Sequence, residues 1–460
     1  MSKAQLIVRQ AYTQAVLKTL DMHDHNEVDQ MLVTAKTRHE SGALAVYERI
    51  AILQKLAKLV EAEHEAFAQL IANEGGKPIR DARVEVTRAI DGIHIAISEI
   101  RSIKGQSIEM GMTPAGHGHE AYTILEPIGV VVAVSAFNHP LNLAIHQVIP
   151  ALATGCPVII KPASTTPLCT LRLAELANQA GLPKGWLQVA ITNRENSEKL
   201  VTDPRVAFFS FIGSAKVGWY LKSKLAPGTR CALEHGGVAP LIFDSYHDEA
   251  GFINGVVKAS MYHSGQVCVS VQRVYVPKAR AQEFAQKIAD VASKQVVGDA
   301  INENSDLGPL ILPKETDRVE AWVNEAIEQG ATLITGGKRI NEVSYEPTVL
   351  LNPAKNSKVS THEVFAPVVC IYAYDSIDEA LEQANSLDVS FQSSIFSDDI
   401  NTAIALAKKL QASAVMINDY TTFRVDWMPF AGRKHSGYGI GGIGYTMRDL
   451  LEHKMIVTKV

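Results

Sequence analysis

Cys268 lies in the stretch His263-Ser264-Gly265-Gln266-Val267-Cys268-Val269-Ser270, just after a Gly-Gln turn and just before an apolar, strand-like run. A thiol is a useful nucleophile only where a neighbour lowers its pKa or takes its proton. Most cysteines are instead small buried residues. A catalytic Cys268 therefore needs three companions elsewhere in the chain: a base, a donor for a developing oxyanion, and an electron acceptor. Glu234, in Leu233-Glu234-His235-Gly236-Gly237, is the base candidate, beside glycines that let backbone approach a ligand closely. Taken alone it reads more simply as a solvated loop glutamate. Asn138, in Ala136-Phe137-Asn138-His139-Pro140, offers a fixed amide after an apolar run. Taken alone it reads as a turn residue.

The electron acceptor is suggested by Phe211-Ile212-Gly213-Ser214-Ala215-Lys216-Val217-Gly218, which follows a predicted strand and opens a predicted helix. Backbone N–H groups at Gly213 and Ser214, with the helix N-terminus, can hold a pyrophosphate. The pattern is Gly-Ser-x-x-x-Gly and lacks the full dinucleotide fingerprint, so a plain strand-to-helix turn fits it equally. Lys161-Pro162-Ala163-Ser164 ends another predicted strand, where doubly wound folds bind ligands. Lys161 can hydrogen-bond a ribose there. An acid at that strand end would claim a 2′-hydroxyl and repel a 2′-phosphate, whereas Ser164 does neither strongly, so NAD and NADP both remain open.

These segments need a framework. Apolar residues at Val46, Ile50, Leu53, Ala57 and Val60 predict helix across residues 41–73, ending at Gly75-Gly76, and a second long helix over 79–101 carries Arg88. Val130 to Val134 is a fully apolar strand of the kind buried in a parallel sheet. Predicted strands at 158–160, 187–191 and 206–211 alternate with helices at 168–180 and 195–201, and the pattern begins again with a strand at 241–243 and a helix over 249–262. The fold class is α/β: a doubly wound, Rossmann-like cofactor domain, a second α/β catalytic domain and a small β oligomerisation arm. The expected division is 1–111 and 130–233 for the cofactor domain, 234–430 for the catalytic domain, and 112–129 with 431–460 for the oligomerisation segment. The terminal run 454–460 is β-prone with few local partners, and such an edge tends to pair with another.

Composition narrows the partners. The chain has 460 residues, long for one core, and its net charge of −5 gives no footprint for nucleic acid or an anionic membrane. No apolar run reaches the ~20 residues that span a bilayer. Five scattered cysteines suggest neither a metal knuckle nor a disulfide framework. A cytoplasmic protein is expected.

Taken together, these motifs resemble the NAD(P)-dependent aldehyde dehydrogenases, over almost the whole chain and in order. The 34-residue separation of Glu234 from Cys268 is the family's usual spacing. His362-Glu363-Val364-Phe365-Ala366-Pro367 is similar to the segment whose glutamate holds the nicotinamide ribose, which implies cofactor roles for Glu363 and Phe365. Pro429 to Gly437 is similar to a late glycine-rich motif. The resemblance implies that Cys268 attacks the aldehyde carbon, that Asn138 and the Cys268 N–H hold the oxyanion, and that the adduct passes hydride to NAD or NADP. Glu234 is then implied to activate water against the thioester. Glu234 also speaks against the CoA-acylating branch, where this acid is commonly replaced. No metal is required, and a homodimer or homotetramer is implied.

Substrate is not fixed by family. Arg88, His139 and Arg424 are candidates for a cationic entrance selecting a short aldehyde with a phosphonate, sulfonate or phosphate. The segments AFNHPLNLAIHQ, FRVDWMPFAG and HSGYGIGG resemble the phosphonoacetaldehyde dehydrogenases, in a branch that includes lactaldehyde and non-phosphorylating glyceraldehyde-3-phosphate enzymes. Phosphonoacetaldehyde is the candidate substrate; lactaldehyde, succinate semialdehyde, sulfoacetaldehyde and glyceraldehyde-3-phosphate are the alternatives. Anion-binding members of the branch often carry arginine before the nucleophile, where this chain has Val267. For Arg88 and Arg424, a domain-bridging ion pair is an equal reading. A reading of another class, a binding or structural protein on the same fold, is opposed by the presence of Cys268, Asn138 and Glu234.

Overall fold

The computed structural model describes residues 3–460. Short apolar strands separated by amphipathic helices build two mostly parallel sheets, as the alternation requires. In the first sheet the order is Gly437–Tyr438, Arg230–Glu234, Val206–Ile212, Val130–Val134, Val158–Lys161, Leu187–Val189; only Gly437–Tyr438 runs antiparallel. Val130–Val134 pairs with the next strand in sequence on one side and with Val206–Ile212 on the other, so chain order reverses there. A crevice opens at such a switch point, beyond the carboxyl ends of the strands.

The second sheet has seven strands, ordered Thr332–Thr335, Thr348–Leu351, Val368–Tyr374, Val271–Pro277, Ala239–Phe243, Gln392–Phe396, Ala414–Ile417. Its core includes Phe243, Phe252, Phe284 and Phe396, all buried. The first sheet is covered on one face by Ile79–Ile100 and Pro140–Thr154, whose small and branched side chains form a continuous core with it.

Three features differ from the sequence expectations. The run 41–73 forms two helices, Val46–Ala62 and His64–Gly75, broken at Glu63, whose carboxylate pairs with Arg172. The helical period continues in phase through this single-residue break, which hides it from periodicity. The strands Gln5–Arg9 and Val16–Asp21 and the helix His25–Glu40 were not anticipated, although Asp24 and Glu27 form a capping box that marks the helix start.

The expected arm also begins later. Residues 431–450 return to the body: Arg433–Lys434 pairs with Val389–Ser390, Gly437–Tyr438 extends the first sheet, and Ile443 and Met447 of the helix Ile443–Asp449 enter its core. Only Leu451–Lys459 reaches out, pairing antiparallel along the whole of His119–Pro127, with Ser107–Ile108 as third strand.

Candidate active site

A cavity of about 650 Å³ lies where the carboxyl ends of the first sheet face the amino ends of the second. Its lining brings together Cys268, Glu234, Asn138, Lys161, Ser164, Gly213, Ser214, Glu363, Phe365, Arg88, His139 and Arg424, the whole candidate set.

The nucleophile loop is strongly constrained. After the helix Glu249–Met261 the chain turns through His263 (φ 50°), Ser264 (φ 55°) and Gly265 (φ 71°). Left-handed backbone at His263 and Ser264 is strained, and surrounding contacts sustain it, while Gly265 takes that conformation freely. A Cβ at Gly265 would sit 2.1 Å from the Ala366 carbonyl oxygen. Ser264 Oγ donates to the Gly308 carbonyl at 2.7 Å, and Gln266 Nε2 donates to the Pro309 carbonyl at 3.1 Å. The loop is thus bolted before it delivers Cys268 into the cavity.

Asn138 sits one residue before the N-cap of Pro140–Thr154 and is 6% exposed. Its Nδ2 donates to the Gln266 carbonyl at 2.9 Å, which aims the amide beside the nucleophile loop and leaves its second N–H undirected by that bond. Glu234 closes the strand Arg230–Glu234, a position the sequence left as a loop. Burial raises its carboxyl to about 7, partly opposed by Arg424. Burial also pushes the Cys268 thiol up, and the charges of Glu234 and Glu363 add to the effect. Cys268 is therefore a protonated thiol in a site whose nearby carboxylate titrates near neutrality.

Opposite lies the cofactor candidate set. The Glu363 carboxyl is raised to about 8 by burial, and its Oε1 is buried without a partner. It lies so close over Gly236 that a Cβ there would be 1.8 Å from Oε1. A buried oxygen without a partner calls for one, and a ribose hydroxyl would fit. Phe365, at φ 51°, stands edge-on to Phe137 with ring centres 5.8 Å apart. Among the described residues Lys161 has no carboxylate partner; Ser164 Oγ accepts from its Nζ at 3.4 Å, and burial lowers its pKa. These residues fit a dinucleotide.

The basic residues divide. Arg88 Nε and Nη2 donate to both oxygens of Asp426, at 3.1 and 2.7 Å, which also accepts from His146 Nε2 at 2.8 Å. The Arg88 charge is thereby met. Burial works against ionisation of Asp426, but the His146 and Arg88 hydrogen bonds outweigh it and hold the carboxyl well below its usual range. Arg424 makes no ion pair among the described residues: Nη1 donates to the Met428 carbonyl at 3.3 Å, and the guanidinium stacks 3.9 Å over the Phe430 ring. Burial lowers it to about 10, with Glu234 and Asp426 resisting, so it stays charged at neutral pH. His139 is pushed down by burial and by Lys77 and Arg88, and stands as a neutral imidazole. Val267 is 7% exposed and packs with Val269, Phe391 and Phe430. Asp426, His146 and Tyr262 were missed in the sequence; Asp426 was legible only as an acid two residues beyond Arg424.

A cysteine, an acid, an amide and residues that fit a dinucleotide surround one cavity at the switch point of a doubly wound sheet, the arrangement of an NAD(P)-dependent oxidoreductase. A model of the aldehyde dehydrogenase family matches residues 1–456. The chain belongs to the aldehyde dehydrogenase family and is an NAD(P)-dependent aldehyde dehydrogenase. It is 38% identical over 447 residues to a 3-sulfolactaldehyde dehydrogenase of Priestia aryabhattai, covering 97% of this chain and 93% of the relative. Among solved structures it is similar to aldehyde dehydrogenase 21 of Physcomitrella patens in complex with succinate, with a TM-score of 0.96, 34% identity, and 100% and 95% of the two chains covered. It is likewise similar to the NADP complex of glyceraldehyde-3-phosphate dehydrogenase GapN from Methanocaldococcus jannaschii, with a TM-score of 0.94, 32% identity and both chains fully covered. Among the described residues no helix is long and apolar enough to cross a membrane.

Proposed function

We propose that the chain oxidises a short aldehyde carrying an anionic head group, sulfonate, phosphonate or carboxylate, to the carboxylic acid. Arg424 carries this reading: it is a charged guanidinium facing the nucleophile's cavity with no directly ion-paired carboxylate among the described residues. An arginine in a poorly solvated site gains most from an oxyanion that accepts two of its N–H groups. Arg88 and His139 line the same wall as hydrogen-bond donors, with Arg88 held in place by Asp426. Similarity to a 3-sulfolactaldehyde dehydrogenase supports testing a sulfonate head first, with phosphonoacetaldehyde retained as a candidate.

In the proposed reaction Cys268 Sγ bonds to the aldehyde carbon while its proton passes to Glu234. The carbonyl oxygen becomes an oxyanion held by Asn138 Nδ2 and the Cys268 N–H. When bound, the nicotinamide ring supplies the hydride acceptor. Glu363 and Phe365 would orient the nicotinamide ribose, Gly213 and Ser214 would receive the phosphates, and Lys161, with Ser164 beside it, would hydrogen-bond a ribose. Glu234, ionised again by releasing that first proton to solvent, takes a proton from water, whose oxygen adds to the thioester carbon; Sγ leaves as thiolate and regains the proton from Glu234 as the acid is released.

The test is a kinetic panel of 3-sulfolactaldehyde, sulfoacetaldehyde, phosphonoacetaldehyde, succinate semialdehyde, glyceraldehyde-3-phosphate and lactaldehyde, each with NAD and NADP. At least one anionic aldehyde should exceed lactaldehyde more than tenfold in kcat/KM, about 1.4 kcal/mol. Arg424→Met should erase that preference while retaining lactaldehyde turnover. Equal rates on neutral and anionic aldehydes, or no turnover of any anionic one, would exclude the anionic reading. A neutral hydroxyaldehyde is the second reading, supported by apolar Val267 beside the nucleophile and by the 34% identical lactaldehyde dehydrogenase of Methanocaldococcus jannaschii.

The sheet of Leu451–Lys459, His119–Pro127 and Ser107–Ile108 is proposed as the assembly surface of a homodimer or homotetramer. Tyr122, Met455 and Val457 stand exposed on it, about half open to solvent.

A further inference from the structure

His235 follows the proposed base directly, yet its side chain turns toward the other end of the cavity. The ring is 2% exposed. Nδ1 lies 2.9 Å from the Gly213 carbonyl oxygen, which can only accept, so Nδ1 carries the proton. Phe211 and Trp219 stand against the ring with centroids 5.6 and 5.9 Å away. Gly218 leaves room for it: a Cβ there would lie 2.1 Å from His235 Cε1. The backbone completes a clasp, since the Gly213 N–H donates to the Glu234 carbonyl at 3.0 Å and the His235 N–H to the Ser436 carbonyl at 2.9 Å. One imidazole therefore joins the end of Arg230–Glu234 to the turn that opens the helix Ala215–Lys222.

A trans peptide sets its C=O and the following N–H in opposite directions. With the Gly213 carbonyl held on His235, the Ser214 N–H is aimed away from the ring, and no carbonyl among the described residues receives it. Gly213 has φ +158°, and a Cβ there would press on Phe211 at 3.0 Å, so the turn requires glycine, and the imidazole holds its carbonyl.

We propose that His235 is a positioning residue for the cofactor: it fixes the Gly213–Ser214 peptide so that the Ser214 N–H is preset to donate to a cofactor phosphate. This rests on the reading above that Gly213 and Ser214 receive the phosphates. The role belongs to the Nδ1 donor, which an asparagine side chain can reproduce with its amide N–H and a leucine cannot.

The experiment compares wild type, His235→Leu and His235→Asn by fluorescence titration with NAD and NADP and by steady-state kinetics on the best aldehyde of the panel. His235→Leu should raise cofactor Kd and KM about tenfold while leaving kcat at saturating cofactor and the aldehyde KM within about twofold. His235→Asn should return cofactor KM to within about threefold of wild type. Equal cofactor affinity in His235→Leu and wild type, or equal losses in the leucine and asparagine variants, would overturn the proposal while leaving the activity in place. A wild-type protein that binds neither cofactor would overturn this proposal and the underlying reading together. Should His235→Leu fail to fold, His235→Ala against His235→Asn makes the same comparison.

Discussion

At the scale of residues, the account turns on two groups held out of their usual protonation ranges. Cys268 is protonated and Glu234 titrates at about 7, both chiefly because burial disfavours charge. Glu234 must be ionised to accept a proton, so kcat/KM should rise with pH through about 7 and level off above it. Glu234→Gln should flatten that limb and lower steady-state turnover by about 10²- to 10⁴-fold, the usual contribution of a positioned base. A stopped-flow trace of reduced-cofactor absorbance checks both; a variant keeping full turnover and the same pH limb would contradict the assignment. Asp426 shows what the sequence could not supply at this scale. Arg88 and Arg424 read alike as cationic candidates, and only the fold places a carboxylate against Arg88 and leaves Arg424 without one.

At the scale of elements, the strands and helices around the cofactor side were legible because each is short, apolar and separated by turn residues. Val130–Val134, Val158–Lys161 and Val206–Ile212 lie within a residue of their predicted limits. Glu234 was not placed on a strand, because Arg230–Glu234 is half polar and gains its order from pairing with Val206–Ile212. The N-terminal hairpin escaped for a similar reason: its pattern is largely exposed. The helix Pro140–Thr154, which presents Asn138 and His139, is held at its N-terminus by Glu85 Oε1, accepting from the Leu141 and Asn142 N–H groups at 3.0 and 3.1 Å. Glu85 also pairs with Lys77, and both side chains are fully buried. Glu85→Ala should therefore cost about 3–5 kcal/mol, since it strands a buried lysine as well as freeing the helix end. Urea unfolding measures this, and a loss below 1 kcal/mol would show that the pair does not hold the helix.

At the scale of the molecule, the cavity is assembled from both sheets, and burying Glu363 in its wall carries a stability cost. Glu363 has an ordinary pKa of 4.5 and is raised to about 8 in the fold, so between these values the folded state holds a proton that the unfolded chain has released. Stability then falls as pH rises through that window. Relative to Glu363→Gln, cofactor-free protein should lose stability by about 1 kcal/mol per pH unit between about pH 5 and 8, measured by denaturant midpoints. A constant difference across that range would place the carboxyl in water. The central claim, that parts from both sheets form one thioester-making site for a short anionic aldehyde, is tested most directly by intact-protein mass spectrometry. Glu234→Gln protein, mixed with the preferred anionic aldehyde and cofactor, should gain the mass of one acyl group, mapped to Cys268 and absent in Cys268→Ser. No adduct, or an adduct on another residue while wild type turns over, would contradict the account.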